Sequence, residues 1–159
     1  MREKTLEWIG DESGELQLID QRKLPAELVK IRCSDTTGLF EAIKTLAVRG
    51  APAIGAAGGY GMVLAMQKVT QDSDISEGIE ALRRGKDYLE NSRPTAVNLS
   101  WALDRVMRAA EQFADANPDA GIDQLKREVL SQAHSIYHED VEMCAAIGRN
   151  GAGIISDGY

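Results

Sequence analysis

Basic residues are in short supply. Lys and Arg number 18 against 25 Asp and Glu, a formal net charge of −7. A chain of that sign has no general affinity for nucleic acid or anionic lipid, so neither a nucleic-acid nor a membrane partner is expected. Cysteine is scarcer still. Cys33 and Cys144 are the only two, far apart and without metal-type spacing, which excludes a disulfide framework and suits a reducing, cytoplasmic compartment. The opening Met-Arg-Glu-Lys-Thr-Leu-Glu-Trp has no apolar stretch of the secretion-signal kind. No apolar run reaches the roughly 20 residues of a membrane span. Internal repeats and low-complexity tracts are missing as well. What remains is 159 residues with an ordinary 43% hydrophobic content, room for one domain with a sizeable core.

The first third reads as strand. Thr5 to Ile9 and Glu15 to Ile19 flank the turn cluster Asp11-Glu12-Ser13-Gly14, which predicts a hairpin. Leu28 to Cys33 alternates, with Val29, Ile31 and Cys33 on one face and Lys30 and Arg32 on the other. After Cys33 the period becomes helical. Ser34 or Asp35 caps a first helix carrying Leu39, Ile43 and Leu46. A second starts at Pro52 and runs to about Lys68, and a third starts at Ser73 or Asp74. A fourth carries Leu99, Leu103, Val106, Ala110 and Phe113 at spacings of four and three. A fifth runs from about Asp123 through Val141. The expected class is α+β: an antiparallel segment over 1–33, then a bundle of about five helices over 34–155, together one N-terminal domain. Ile154-Ile155 reads as the start of a strand and Ser156-Asp157-Gly158 as a turn. Residues 156–159 are therefore expected to open a connection to a further domain.

The most informative stretch is Val48 to Gly61, Val-Arg-Gly-Ala-Pro-Ala-Ile-Gly-Ala-Ala-Gly-Gly-Tyr-Gly. Pro52 suits a helix start, because its fixed φ is helical and its missing N–H would be unpaired there anyway. Gly50 and Ala51 leave the backbone approachable. A helix start offers free N–H groups and the positive end of the macrodipole. An arginine fork beside it suits phosphate. Two readings stay open: an anion site at Arg49, Gly50 and Ala51, or a tight turn before a packing helix. Gly55, Gly58, Gly59 and Gly61 each weaken a helix by roughly 1 kcal/mol relative to alanine, which makes sense where a neighbour approaches closely. Ala51, Gly55 and Gly59, four apart, predict one flat face for one neighbour.

Arg93 also precedes a proline, in Asn91-Ser92-Arg93-Pro94-Thr95, and two such arginines could converge on one phosphate. Taken alone, Arg93 reads as a solvated loop charge. His134 and His138 are four apart on the fifth helix; with no third ligand at motif spacing, a solvated helix face is expected and no metal. Trp101 and Tyr137 read as core or interface anchors, and Cys144 as a small packed apolar residue.

Three segments, Leu-Ile-Asp-Gln-Arg-Lys-Leu-Pro (18–25), Val-Arg-Gly-Ala-Pro-Ala-Ile-Gly (48–55) and Arg-Pro-Thr-Ala-Val-Asn-Leu (93–99), occur in this order. Together they closely resemble the methylthioribose-1-phosphate isomerases, the aldose–ketose isomerases of methionine salvage. The middle segment is shared with ribose-1,5-bisphosphate isomerases and with regulatory subunits of the translation-initiation exchange factor. The resemblance implies a phosphosugar site at Arg49, Gly50, Ala51 and Arg93, no cofactor, and a homodimer as the full-length protein. It also implies that the catalytic Cys and Asp lie beyond Tyr159, so that neither Cys33 nor Cys144 is catalytic and this chain alone is inactive. The alternatives it leaves are an isomerase of ribose 1,5-bisphosphate or 5-deoxyribose 1-phosphate, or a non-catalytic regulatory subunit.

Overall fold

The computed structural model describes residues 4–155. The hairpin forms where the turn cluster predicts it. The Asp11 carboxylate accepts hydrogen bonds from the Ser13 N–H at 2.9 Å and the Ser13 hydroxyl at 2.6 Å, closing the turn between β1 (Leu6–Ile9) and β2 (Glu15–Ile19). Strand β3 (Lys30–Cys33) pairs with the other edge of β2, giving an antiparallel sheet in the order β1-β2-β3. Leu6, Trp8, Leu16, Leu18 and Cys33 are buried. They occupy alternate strand positions and so line one face of the sheet. Burial raises the Cys33 thiol pKa to about 11, which keeps it protonated and inert.

Five helices follow: α1 (Thr36–Lys44), α2 (Ala51–Ala65), α3 (Ile75–Glu90), α4 (Val97–Ala116) and α5 (Ile122–Ala152). Asp35 caps α1 through the Gly38 N–H, and Asp74 caps α3 through the Glu77 N–H. Such caps contribute about 1 kcal/mol each. Leu99, Leu103, Val106 and Ala110 of α4 are fully buried, as their spacing predicts. Each large side chain so placed contributes roughly 1.5–3 kcal/mol.

Helix α2 is the axle of the bundle, buried continuously from Ile54 to Leu64. Its small residues do not form one flat face. A β-carbon at Gly55 would lie 3.1 Å from the Asn98 carbonyl, and one at Gly58 would lie 2.7 Å from Leu99 Cδ1, both on α4. One at Gly59 would meet Ile136 of α5 at 3.2 Å, and one at Gly61 would meet Leu89 of α3 at 2.5 Å and Leu39 of α1 at 2.8 Å. Ala51 is exposed. The physical reason is that four helices surround α2, so each small residue serves the neighbour its own direction meets.

Other expectations are corrected. Helix α2 ends at Ala65 rather than near Lys68, and α5 continues to Ala152, well past Val141. Ile154 and Ile155 are exposed and form no strand. Beyond Ile136 no residue of α5 is buried, and Val141, Met143 and Ile147 face outward. Cys144 lies on this stretch and is exposed rather than packed. Trp101 is not a core residue: it is 46% exposed, with the Arg105 guanidinium 5.6 Å over its ring. Residues 156–159, read as the start of a connection, lie outside the described residues. Among the described residues no helix is long and apolar enough to cross a membrane.

Candidate functional site

The segment before α2 is set by how α1 ends. Leu46 takes φ +62° in the left-handed region, and its N–H donates to the Ile43 carbonyl while Ala47 N–H reaches back to Ala42. Ala47 and Val48 are then fully buried, which anchors the chain immediately before Arg49. Gly50 caps α2 at φ +93°, a conformation glycine alone adopts freely. A β-carbon built there meets nothing within 4 Å, so backbone conformation rather than space demands glycine. No side chain caps α2 and no acidic residue occupies its first turn. The exposed residues Ala51 and Pro52 therefore present an open, positively polarised helix end.

Arg49 is oriented by a residue whose role the sequence reading missed. Arg49 Nη2 donates to the Gln21 carbonyl at 2.9 Å, and Gln21 Nε2 donates to the Arg49 carbonyl at 3.1 Å. The Gln21 N–H donates to the Ala47 carbonyl at 2.8 Å. This reciprocal pair leaves Nε and Nη1 of Arg49 without partners among the described residues. Its neighbours brace the loop. Buried Asp20 accepts from Arg22 Nε at 2.7 Å, from Arg22 Nη2 at 2.6 Å and from the Arg22 N–H at 3.1 Å. Arg22 Nη1 donates onward to Thr45 Oγ1 at 2.9 Å. Segment 18–25 thus holds segment 45–49 in place.

The hydrogen bonds from Arg22 hold the Asp20 carboxyl below its ordinary pKa, against the opposing effect of burial. A lowered carboxylate contributes stability that is present above the unfolded pKa of about 4 and lost as pH falls through the folded value. The stability gap between the native chain and Asp20→Asn is therefore expected to be widest at neutral pH and to shrink below about pH 4. Urea denaturation of both chains at about pH 7 and about pH 3 measures it. A gap that stays constant would show that the Asp20–Arg22 pair is not coupled to folding.

Arg93 is placed differently from Arg49. Pro94 sits in a turn and α4 begins only at Val97, so Pro94 does not start the helix. The Ala96 N–H donates to the Arg93 carbonyl at 2.9 Å, and Ser92 Oγ donates to the Leu89 carbonyl at 2.6 Å, fixing the turn. Arg93 is half-buried, and its guanidinium has no partner among the described residues. The α4 start likewise lacks a side-chain cap. The contact of Gly55 with Asn98 sets the second turn of α2 against the first turn of α4. The two uncapped helix starts that follow Arg49 and Arg93 therefore lie at the same end of the bundle.

Of the histidine pair, His138 is exposed as a solvated face requires, while His134 is half-buried and partnered. His134 Nδ1 and Tyr60 Oη share a hydrogen bond of 2.9 Å, and Tyr60 stacks on Trp8 with centroids 5.4 Å apart. Burial raises the Tyr60 phenol, and burial followed by the charge of His138 lowers His134. The pairing spans 74 residues and leaves no local signature. Among the described residues no cluster of three His, Cys, Asp or Glu side chains is set to hold a metal.

Comparison with known proteins bears on this arrangement. Residues 47–159 match the model of the Initiation factor 2 subunit family. A methylthioribose-1-phosphate isomerase from Roseiflexus sp. (strain RS-1) is 42% identical over 96% of this chain and 42% of its own length. One from Herpetosiphon aurantiacus is 45% identical over 84% of this chain and 36% of its own. The crystal structure of 5-methylthioribose 1-phosphate isomerase from Pyrococcus horikoshii OT3 superposes with a TM-score of 0.83 at 34% identity, covering 98% of this chain and 41% of that one. That of translation initiation factor eIF-2B, subunit delta, from A. fulgidus superposes equally well, with a TM-score of 0.83 at 36% identity over 98% of this chain and 42% of that one. The chain spans about two fifths of the length of these relatives.

Proposed function

The chain belongs to the initiation factor 2 subunit family, and from that premise we propose that it forms the phosphate-anchoring part of an aldose–ketose isomerase. The substrate is 5-methylthioribose 1-phosphate, the product 5-methylthioribulose 1-phosphate, and the pathway methionine salvage. The observation that carries the reading is the uncapped α2 start, with Arg49 held beside it by Gln21 and two guanidinium nitrogens left unengaged. Phosphate needs several donors and a positive field, and this end of the bundle supplies both. Gly50 and Ala51 let the ligand reach the backbone. Arg93, at the adjacent helix start, is the second phosphate-holding group.

Phosphate on the C1 oxygen blocks spontaneous opening to a free aldehyde. The enzyme must open the ring, move hydrogen from C2 to C1 and convert the C2 hydroxyl to a carbonyl, which requires a positioned acid/base pair. We assign that pair, a cysteine and an aspartate, to the length of the relatives that this chain does not span. Arg49 and Arg93 orient C1 and C2 toward it. The same reading gives a cytoplasmic homodimer without a cofactor.

A second reading is favoured by the equal structural likeness to the initiation-factor subunit: a non-catalytic regulatory subunit built on the same bundle. Incubating the longer protein that contains this chain with methylthioribose 1-phosphate, and following ketose formation, separates the two. Turnover supports the isomerase. A protein that binds sugar phosphate without converting it supports the regulatory subunit.

A further inference from the structure

At the other end of α2, a groove of about 440 Å³ opens between α1, α2 and α3. Fourteen residues separate Ala51 from Ala65, so it lies roughly 20 Å from the Arg49 end. Small residues of the two facing helices, Ala65, Ala81 and Gly85, are part of its lining. Tyr88 forms one wall, one ring face stacked on Phe40 with centroids 4.6 Å apart. Thr36 and Thr37 bring hydroxyls from the first turn of α1. Lys68 and Arg84 line both this groove and the hollow next to it. Lys68 has no partner among the described residues, and Arg84 has only a long 3.4 Å contact to Glu80. The groove thus brings two weakly engaged cations together with an aromatic ring and two hydroxyls.

We propose that this groove is a second ligand site, separate from the Arg49 end, which takes a nucleoside monophosphate with its phosphate between Lys68 and Arg84 and its base against Tyr88. Dianionic phosphate matches two cations, and the Arg84 fork grips two of its oxygens. Glu80 is not stranded when Arg84 turns to the ligand, because Arg83 stands 4.0 Å from its other oxygen. The threonine hydroxyls bond the ribose or the phosphate, and the aromatic wall takes the planar base. Beyond Lys68 and Arg84 the groove continues into a hollow lined by Ser73, Ser76, Glu77 and Glu80. A longer polyphosphate would run against those two carboxylates, so the site selects a monophosphate.

Titration calorimetry at low salt with AMP, ATP, adenosine and inorganic phosphate tests this on the 159-residue chain. AMP is expected to bind at one site, more tightly than ATP, phosphate or adenosine. Lys68→Ala and Arg84→Ala should each weaken AMP roughly tenfold, since each removes a charged partner. Tyr88→Ala should weaken AMP and leave phosphate binding unchanged. Arg49→Ala should leave AMP binding intact, which keeps this test independent of the proposed sugar-phosphate site. All four are surface variants, and circular dichroism verifies their fold. No AMP binding up to about 5 mM, a Kd range in which even weak sites register, would overturn the proposal. So would binding indifferent to the double variant of Lys68 and Arg84, or binding abolished by Arg49→Ala. Measured on Arg49→Ala, so that the proposed sugar-phosphate site does not contribute, ATP binding as tight as AMP would overturn the selectivity, and phosphate binding as tight as AMP would overturn the role of the base.

Discussion

A chain carrying Gly85→Val is expected to be strongly destabilised. A β-carbon at Gly85 would lie 2.4 Å from the Ala65 β-carbon on α2. Neither atom sits on a side chain that can rotate aside, so α2 and α3 must separate. Overpacking of this kind typically costs about 1–3 kcal/mol, and a branched side chain at so short a distance belongs at or above the upper end. For a domain of this size that is a fall in Tm of roughly 10 °C or more. Gly85→Ala should show a smaller loss, because alanine's helical preference of about 1 kcal/mol works the other way. Gly148→Ala is the control. Nothing lies within 4 Å of a β-carbon there, so only the helical preference acts and stability should hold or rise. Thermal unfolding of the three variants decides the matter, and a Gly85→Val chain melting with the native one would refute the close α2–α3 contact.

The second large effect concerns Arg49 in the longer protein. Removing the guanidinium with Arg49→Ala is expected to weaken sugar-phosphate binding about 100-fold or more, since two charge-assisted hydrogen bonds are worth roughly 1.5–3 kcal/mol each. Arg49→Lys keeps the charge but loses the fork, and should recover only part of the loss. Gln21→Ala keeps the backbone carbonyl that accepts from the guanidinium and removes only the amide that donates to the Arg49 carbonyl, so it should weaken binding far less than Arg49→Ala. KM for the sugar phosphate and competitive inhibition by inorganic phosphate measure all three. Native affinity in Arg49→Ala would remove the phosphate contact from the proposal.

Local chemistry was legible in the sequence and long-range geometry was not. Asp35, Asp74 and the stripe of α4 obey rules spanning three or four residues, and the structure follows them. The direction of each glycine in α2 depends on which helix lies beside it, and composition carries no information about that. Pro94 misled for a related reason: proline suits a turn as well as a helix start, and nothing nearby distinguishes the two. Gln21 meets Arg49 across 28 residues, so the segment around residue 20 was recognisable as a motif while its mechanical role stayed hidden. The left-handed Leu46 breaks the expectation of glycine or asparagine at such a position, and only the buried Ala47 and Val48 that follow explain why the chain accepts it.

The surrounded position of α2 bears on how the molecule comes apart. A helix with four glycines, Gly55, Gly58, Gly59 and Gly61, has little tendency to persist alone. It touches all four other helices and both strands of the hairpin. It can form only once most of its neighbours are in place, and they lose their shared wall when it melts. The usual division of a helical protein into sturdy and fragile segments is therefore suppressed between Leu6 and Ile136. Opening that exposes the α2 amides amounts to unfolding the whole core, and the Arg49 end inherits the rigidity of a single cooperative unit.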